Sequence, residues 1–253
     1  MRLARFRYGD RISTGTLEDD VVRPLRGTFF EDPVPAGETL LLTEVRLLAP
    51  IIPSKVVCVG RNYVEHAKEL GSDIPEEPLL FMKPSTAVIG PNDPIRLPPE
   101  SDRVDHEGEL AVVMGRPCRR VSEEEAPKYV LGYTCGNDVT ARDLQKKDGQ
   151  WTRAKGFDSF CPLGPWVETE LDPGDLQIAT RVNGETRQRA RTSNMIFRPE
   201  ALISYVSQAM TLLPGDVILT GTPAGVGPLS PRDSVEVEVE GIGVLSNEVV
   251  GSG

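Results

Sequence analysis

The chain has 253 residues, a net charge of −10 and 39% hydrophobic residues, enough to bury one large core or a core with a small appended domain. The acidic balance excludes nucleic acid as a partner, because no basic stripe is present to neutralise phosphates. No apolar run approaches the roughly 18 residues that span a bilayer, and MRLARFRYGD carries no hydrophobic signal segment, so we expect a cytoplasmic protein without membrane contact.

The N-terminal part of the chain is predicted to be a small β-rich domain over residues 1–48. Short alternating stretches separated by turn residues occur there, in RLARFRY, RISTGTL, VVRPLRGTF and ETLLLTEVRLLAP. The proline-containing stretch APIIPSK is the predicted linker. A larger domain over residues 55–253 then opens with VVCVG, which has the composition of a buried strand.

Two stretches of the larger domain have the pattern of a helix. NYVEHAKELG is the first, and Gly71 ends it. RPEALISYVSQAMTLLPG is the second, in which Pro199 suits the first turn and Pro214-Gly215 ends the helix.

Most of the remaining chain has the pattern of strand and turn. GDVILTG is a predicted buried strand, and VEVEVEGIGVLSNEVV alternates with period two around a Gly241-Ile242-Gly243 turn. Because 22 prolines and 24 glycines are spread among short strands, we predict a β-dominated α+β fold and not a βαβ array. In the alternating stretch, Val235, Val237 and Val239 are expected to face the core, and Glu236, Glu238 and Glu240 the water.

The stretch HEGELAVVMG places two acids two residues apart, directly before an apolar run. Residues i and i+2 of a strand share one face, so Glu107 and Glu109 are expected on one side with Ala111 and Val113. Their Cα atoms would lie about 6.6 Å apart, and the carboxylates would repel by about 2.5 kcal/mol at an effective dielectric near 20. Burial increases this repulsion unless a positive group lies between them.

Composition limits what that positive group can be. Two histidines and four cysteines without a CxxC pair exclude thiolate and polyhistidine metal sites, and the cysteines are expected to be small buried free thiols. An all-oxygen site for a hard cation remains, Mg²⁺ or Mn²⁺ before Ca²⁺. Asp138, after an apolar run, is the candidate third acid, with Asn137 and Asp143 as competitors. Taken alone, two acids at a strand end are a weak signal, because most acids are simply solvated.

A histidine and a glutamate lie three residues apart in the first predicted helix. This spacing puts His66 and Glu69 on one face, where the carboxylate can orient the imidazole and raise its basicity. A surface salt bridge is the alternative. The acidic, proline-containing stretch GSDIPEEP that follows suits a mobile lid hinge. His106 points to the strand face opposite Glu107 and is interpreted as a supporting group.

Six ordered blocks, from about Val56 to the C-terminus, resemble the fumarylacetoacetate hydrolase family, especially its acylpyruvase, oxaloacetate decarboxylase and hydroxyhepta-diene-dioate isomerase branch. The blocks are GRNYVEHAKE, FMKPSTAVIG, HEGELAVVMG, NDVTARDLQ, QWTRAKGFDSFCPLGPW and LLPGDVILTGTPAGVG. The first 45 residues resemble the small N-terminal domain of bacterial members related to the isomerases. The resemblance implies a mixed β-roll core, usually in a homodimer. It also implies a site for Mg²⁺ or Mn²⁺ formed, by position, by Glu107, Glu109 and Asp138.

The resemblance also gives roles to residues around the ion. Lys155 matches the family lysine beside the metal, where an ammonium can hold a substrate oxygen and developing negative charge. Gln145 would hydrogen-bond a substrate carboxylate or carbonyl, and Arg61 is assigned to substrate binding. Arg142, one helical turn before Gln145, is given no role beyond a structural one.

Two further blocks supply substrate-binding candidates. Lys83 lines the same cleft or, as an equal alternative, is a structural ion-pair partner. TGTPAGVG lacks the GK[ST] of a nucleotide P-loop, but its glycines let backbone N–H groups approach an anion and Thr222 adds a hydroxyl donor. A tight turn after a strand is the alternative for these glycines.

The reaction implied is cleavage of a C–C bond in a short 2,4-dioxo or β-keto dicarboxylic acid, as an acylpyruvate hydrolase or an oxaloacetate decarboxylase, through a metal-stabilised enolate. In hydrolytic members the pair that matches His66 and Glu69 activates water. One alternative is a 2-hydroxyhepta-2,4-diene-1,7-dioate isomerase of aromatic catabolism, and another is a non-catalytic binding module on the same fold. The expected partner is a small-molecule 2-oxo acid.

Overall fold

The computed structural model describes residues 1–31, 33–69, 71 and 73–251, and within them strands dominate over helices. The strands are Arg2–Tyr8 (β1), Arg11–Glu18 (β2), Val21–Arg26 (β3), Val34–Pro35 (β4), Leu40–Leu41 (β5), Arg46–Leu47 (β6), Val56–Gly60 (β7), Leu79–Lys83 (β8), Val88–Ile89 (β9), Ile95–Arg96 (β10), Val104–His106 (β11), Gly108–Met114 (β12), Val130–Asn137 (β13), Thr140–Ala141 (β14), Cys161–Glu168 (β15), Gln177–Val182 (β16), Glu185–Arg191 (β17), Val217–Leu219 (β18), Gly227–Pro228 (β19), Ser234–Val239 (β20) and Gly243–Val250 (β21). The helices are Val64–Glu69 (α1), Arg142–Asp148 (α2), Thr152–Gly156 (α3) and Pro199–Ala209 (α4). The predicted β-dominated α+β class is confirmed.

The largest sheet has the strand order β4-β3-β2-β1-β15-β13-β12-β18-β7-β8. Strand β12 lies well inside it, antiparallel to both β13 and β18, and all its residues are buried. Its side chains alternate between two cores, because successive residues of a strand point to opposite faces. Ala111 and Val113 lie in one core and Leu110 and Val112 in the other, as the sequence predicted.

A second sheet, in the order β10-β21-β20-β16-β17, packs against one face of β12. The predicted β20/β21 hairpin is confirmed, with Val239 opposite Gly243. Val237 and Val239 of β20 join the core that also contains Leu110 and Val112, and Val235 is buried in a separate cluster. The side chains of Glu236 and Glu238 remain 35% and 41% exposed.

The N-terminal strands form an antiparallel meander, and β1 joins it to the large sheet. Arg2 pairs with Glu168 and Leu3 with Val167 on β15. The predicted N-terminal strands are therefore confirmed, and they share a sheet with the larger part of the chain. The division into domains over residues 1–48 and 55–253 stays a prediction.

Both predicted helices form, with one corrected end. Helix α1 ends at Glu69; Leu70, and Ser72 of the predicted hinge, lie outside the described residues. Helix α4 starts at Pro199 but ends at Ala209, before the predicted Pro214-Gly215, because the backbone of Met210 is extended and Leu212 bridges to Cys118. Among the described residues every helix is too short to cross a bilayer, the longest having 11 residues.

Candidate active site

Three carboxylates meet where the large sheet contacts the small β14-β11-β19 sheet. Glu107 lies between β11 and β12, Glu109 is on β12, and Asp138 directly follows β13. Their exposed fractions are 5%, 1% and 1%, and one oxygen from each lies within 4.8 Å of the others. The strand is interrupted at Glu107, yet the predicted set of three acids is brought together.

The position between the two glutamates has no room for a side chain. A Cβ placed on Gly108 would lie 2.0 Å from Thr180 Oγ1 and 3.3 Å from a methyl group of Val237, both on the second sheet. That sheet therefore packs directly on the backbone between Glu107 and Glu109. The glycine of HEGEL is a sequence signal for this close approach that the sequence analysis did not use.

The two competitors for the third position have other partners. Asn137 Oδ1 accepts the backbone N–H of Glu107 at 3.0 Å. Asp143 lies on α2 and accepts hydrogen bonds from the Ser101 hydroxyl at 2.5 Å and the Asp102 N–H at 3.1 Å. Asp138 is therefore the acid that completes the cluster.

Two buried cations bind the cluster from α2 and α3, helices that were not predicted. Lys155 Nζ donates to Glu107 Oε2 at 2.8 Å and to Asp138 Oδ2 at 2.6 Å. The Arg142 guanidinium donates to Glu107 Oε1 at 2.5 Å, to Asp105 Oδ2 at 2.9 Å and to Gln145 Oε1 at 2.6 Å. Arg142 is thus more than a structural residue, because it joins the predicted metal ligand to the predicted substrate-binding glutamine.

Lys83 lies behind the cluster. Its ammonium donates to the backbone carbonyl oxygens of Val139 at 3.0 Å, Lys155 at 2.6 Å and Phe160 at 2.8 Å, which uses all three of its hydrogens. Asp138 Oδ1 lies 2.7 Å from the same ammonium but receives no hydrogen bond. These contacts support the structural ion-pair alternative for Lys83 over substrate binding.

The pKa values of the two glutamates are shifted in opposite directions. Burial by itself would raise the pKa of Glu107, but Lys155 and Arg142 hold that pKa well below its usual range. Burial, with the nearby Asp138 and Glu107 carboxylates, raises the pKa of Glu109 well above its usual range, although the Gly221 N–H donates to Glu109 Oε2 at 2.6 Å. Among the described residues Glu109, unlike Glu107, forms no salt bridge, and the attraction of Lys155 lowers its pKa less than burial raises it.

The donor set fits a hard divalent cation. Around the cluster four acids are buried, Asp105 and the three of the cluster, against three buried cations, Lys83, Arg142 and Lys155. Asp138 Oδ1 accepts no hydrogen bond from the described residues, and burial raises the pKa of the Glu109 carboxyl, a shift that a bound cation would oppose. Carboxylate oxygens without nitrogen or sulfur donors are the ligands of Mg²⁺, Mn²⁺ and Ca²⁺.

His66 and Glu69 form the predicted pair on α1. His66 Nδ1 lies 3.0 Å from Glu69 Oε2, and Glu69 Oε1 accepts the Gly225 N–H at 3.0 Å. The imidazole is 3% exposed, so the pair is not a surface salt bridge. The Asn62 side chain anchors the start of the helix through the carbonyl oxygens of Phe197 and Thr220.

Several of these groups line one small cavity of about 20 Å³, which has room for about one water molecule. Arg61 lines it with a left-handed backbone (φ 58°) and a buried Nε that has no partner among the described residues. Thr222 also lines it, but its hydroxyl donates to the Gly108 carbonyl at 2.9 Å. The lining residues are Val59, Gly60, Arg61, His66, Phe81, Glu107, Asp138, Arg142, Gln145, Trp151, Lys155 and Thr222.

Two family models together match nearly the whole chain. A family model described as fumarylacetoacetate (FAA) hydrolase C-terminal matches residues 55–250, and one described as Rv2993c-like, N-terminal matches residues 1–50. The chain belongs to the fumarylacetoacetate hydrolase family. The family predicted from the six sequence blocks is therefore confirmed.

Similar proteins in this family include named isomerases. The chain is 52% identical to the structure of 5-carboxymethyl-2-hydroxymuconate delta-isomerase from Mycobacterium smegmatis, which covers 100% of both chains with a TM-score of 0.95. It is 51% identical to 2-hydroxyhepta-2,4-diene-1,7-dioate isomerase from Mycobacterium marinum, over 100% of this chain and 99% of that one, with a TM-score of 0.94. A relative named mitochondrial oxaloacetate tautomerase fahd2, from Xenopus laevis, is 47% identical over 82% of this chain and 69% of that protein.

In this fumarylacetoacetate hydrolase family chain, most predicted site residues are neighbours. Nine of them lie at the cavity or in direct hydrogen-bond contact with a lining residue or its loop, namely His66, Glu69, Lys155, Arg61, Gln145, Thr222, Glu107, Glu109 and Asp138. Sequence reasoning missed Asp105, which orients Arg142, and Trp151, which packs edge-on against Phe81 with ring centroids 5.2 Å apart. Asp105 directly precedes the block HEGELAVVMG, and Trp151 lies inside QWTRAKGFDSFCPLGPW. The role of either residue could be interpreted only once its contacts in the fold were known.

Proposed function

We propose that this chain is a metal-dependent enzyme that forms the enol of a short 2-oxo dicarboxylic acid, with keto–enol tautomerisation or double-bond isomerisation as its main reaction. One observation carries the proposal. Glu107 and Asp138 of the cluster, Lys155 and His66 line a single cavity, so a base and a stabiliser of negative charge face the same small volume. The names of similar proteins, two isomerases and a tautomerase, support this reaction class.

The chemistry divides between the ion and the side chains. Mg²⁺ or Mn²⁺ held by Glu107, Glu109 and Asp138 would supply fixed positive charge that favours an enolate over the 2-oxo form. Lys155 would hold the oxygen on which negative charge develops, because its ammonium already bridges two of the acids.

His66 is the base in this proposal. Its Nδ1 is taken by Glu69, which leaves Nε2 as the free ring nitrogen. The imidazole would remove the proton from the carbon next to the carbonyl and return it to the oxygen or to a more distant carbon. Each transfer conserves atoms and electrons, as tautomerisation and isomerisation require.

The charge at the site supports a dianionic substrate. With all four buried acids ionised, a divalent cation would change the balance of the buried charges around the cluster from one negative to one positive. Arg61, whose Nε has no protein partner, adds a second positive charge at the cavity. Two carboxylates on the substrate would neutralise both.

C–C cleavage is the second candidate, and the His66–Glu69 pair favours it. Acylpyruvate hydrolysis needs an activated water molecule, and the cavity, which His66 lines, has room for about one water molecule. Oxaloacetate decarboxylation needs no attacking water, because the enolate remains when CO₂ leaves.

The test is a comparison of substrates with and without divalent ions. Enol-to-keto conversion of oxaloacetate, CO₂ release from it, and hydrolysis of acetylpyruvate and fumarylpyruvate are measured in Mg²⁺, in Mn²⁺ and in EDTA. We expect ion-dependent turnover, fastest for proton transfer. Equal rates in EDTA and in metal would contradict the proposed metal dependence, and cleavage without proton transfer would select the second candidate.

We also propose a homodimer, on the family resemblance alone. Sedimentation velocity at micromolar concentration tests it, and a single species near the chain mass of 27.6 kDa would contradict it.

A further inference from the structure

A buried glutamine on β17 links two parts of the site without lining its cavity. Gln188 is 1% exposed. Its Oε1 accepts the Gly108 N–H at 2.9 Å and contacts His106 Nδ1 at 3.2 Å. Its Nε2 donates to the Pro223 carbonyl and to Thr222 Oγ1, both at 2.7 Å.

Two of these partners fix the orientation of the amide. The Gly108 N–H can only donate and the Pro223 carbonyl can only accept, so Oε1 and Nε2 cannot be exchanged. It follows that His106 Nδ1 carries a hydrogen. The Thr222 hydroxyl accepts a hydrogen bond from Gln188 and donates one to the Gly108 carbonyl at 2.9 Å.

The glycine between the metal ligands is thereby held at both backbone groups. Gln188 binds the N–H of Gly108, and Thr222, itself held by Gln188, binds its C=O. Together with the two backbone hydrogen bonds of Glu107, to Asn137 Oδ1 and from the Asp138 N–H, these bonds fix the backbone that presents Glu107 and Glu109.

The Nε2 end of the Gln188 amide holds the loop over residues 220–225. In this loop the Gly221 N–H donates to Glu109 at 2.6 Å, and the Gly225 N–H donates to Glu69 at 3.0 Å. Gln188 bonds the middle of the loop, at Thr222 and Pro223. One side chain thus connects the ion-binding segment to the loop that holds the partner of His66.

We propose that Gln188 is a positioning residue that aligns the ion-binding carboxylates with the loop that holds Glu69. A side chain serving only to fill space here would be apolar, because burying an amide costs free energy unless its hydrogen bonds are made. The activity measurement that tests this inference rests on the proposed function. The hydrogen-exchange and ion-binding measurements do not, because they use the apo protein and Mn²⁺ alone.

The test replaces Gln188 by Met, which keeps the length and removes every hydrogen bond. Gln208→Met is the matched control, because Gln208 is exposed on α4, away from the cavity. Three quantities are measured: amide hydrogen exchange in the apo protein, Mn²⁺ affinity by calorimetry, and kcat for the substrate that the wild type turns over.

We expect Gln188→Met to lose exchange protection at Gly108 and Gly225, to weaken Mn²⁺ binding about 10- to 100-fold and to lower kcat by a similar factor, the usual effect of removing a group that orients metal ligands. Gln208→Met should match the wild type. In a Glu69→Gln background the further loss of kcat should be smaller, because the two residues act through one loop.

Unchanged exchange at Gly108 and Gly225 with wild-type Mn²⁺ affinity would overturn the proposal, and so would a lower melting temperature with Kd and kcat unchanged. If Gln188→Met does not fold, Gln188→Asn, which keeps the amide but is too short to reach both partners, takes its place with the same expectations. A wild type that binds Mn²⁺ without any turnover would contradict the proposed function and leave the binding and exchange tests of Gln188 valid.

Discussion

Two pairs of glutamates, each pair separated by one residue, lie where the large sheet and the second sheet pack together. Glu107 and Glu109 are 5% and 1% exposed on the large sheet, whereas the side chains of Glu236 and Glu238 are 35% and 41% exposed on the second sheet. Val237, between the second pair, would come within 3.3 Å of a Cβ on Gly108, between the first.

The intervening residue accounts for the difference. Val237 buries its own side chain in the core between the sheets, so the flanking glutamates face outward and pair with Arg181 at 2.9 and 2.6 Å. Gly108 has no side chain to bury, so the second sheet packs on its backbone and the flanking glutamates point into the opposite interior. Charge spacing alone therefore does not distinguish an ion site from a solvated strand face.

The strongest test of this contrast removes the acids. Glu107→Ala, Glu109→Ala and Asp138→Ala are each expected to abolish Mg²⁺ or Mn²⁺ binding and activity in a folded protein, because three carboxylates form the cluster. Calorimetric titration measures the binding. Glu238→Ala is the control and should retain it. Tight binding in all three cluster variants would show that the ion site lies elsewhere.

Removal of a buried cation should cost more than removal of an exposed one. Lys155→Met leaves Glu107 and Asp138 without their shared ammonium, so we expect the free energy of unfolding to fall by about 3–5 kcal/mol, together with loss of turnover. Arg181→Met, at the exposed pair, should cost less than about 1 kcal/mol. Urea denaturation of the apo proteins measures both, and equal losses would refute the distinction.

The exposed fraction of a glutamate side chain should not predict its function either. The Glu69 side chain is 34% exposed, close to the 35% of Glu236, yet it bonds His66. His66→Ala and Glu69→Gln should lower proton transfer and acylpyruvate hydrolysis, the histidine variant by about 10²- to 10⁴-fold, the usual contribution of a positioned base. Decarboxylation should fall much less, and Glu236→Gln should change nothing. An equal loss in all reactions would assign the pair to substrate positioning instead of base catalysis.

A side chain added between the buried glutamates should destabilise the protein. Gly108→Ala places a Cβ 2.0 Å from Thr180 Oγ1, and such overpacking typically costs about 1–3 kcal/mol. Thr180 Oγ1 has no hydrogen-bond partner, so Thr180→Ala in the same chain should restore part of the loss. Thermal denaturation of the single and double variants checks this, and a double variant no more stable than Gly108→Ala would exclude the steric cause.

The raised pKa of Glu109 predicts a pH effect of definite sign. Above the usual value of 4.5 the unfolded chain has released this proton while the folded chain keeps it, so the apo protein should lose stability as pH rises, by up to about 1.4 kcal/mol per pH unit until the folded pKa is passed. Bound Mn²⁺ displaces the proton and removes the slope. Denaturant unfolding across pH measures it for the wild type and Glu109→Gln, with Glu236→Gln as control; identical slopes in all three would contradict the protonated carboxyl.

Local sequence patterns were sufficient for much of the fold. The alternating valines of β20, the buried run of β12 and the start of α4 at Pro199 follow from periods of two and 3.6 residues. Helices α2 and α3 carry Arg142, Gln145 and Lys155, and each contains a single apolar residue, Leu144 or Ala154. One apolar residue cannot show a helical period, which is why the sequence pattern did not predict these helices.

What the sequence determined by itself is the chemistry available: two glutamates at strand spacing, an aspartate after a strand, a histidine and glutamate on one helix face, and six blocks that identify the family. The tertiary structure decided which groups meet. Lys83 binds backbone oxygens up to 77 residues away, and Gln188 binds Gly108 across 80 residues. Such contacts arise from strand pairing and sheet packing, which depend on the whole chain and have no trace in local periodicity, so the roles of Lys83, Gly108 and Gln188 became visible only in the folded molecule.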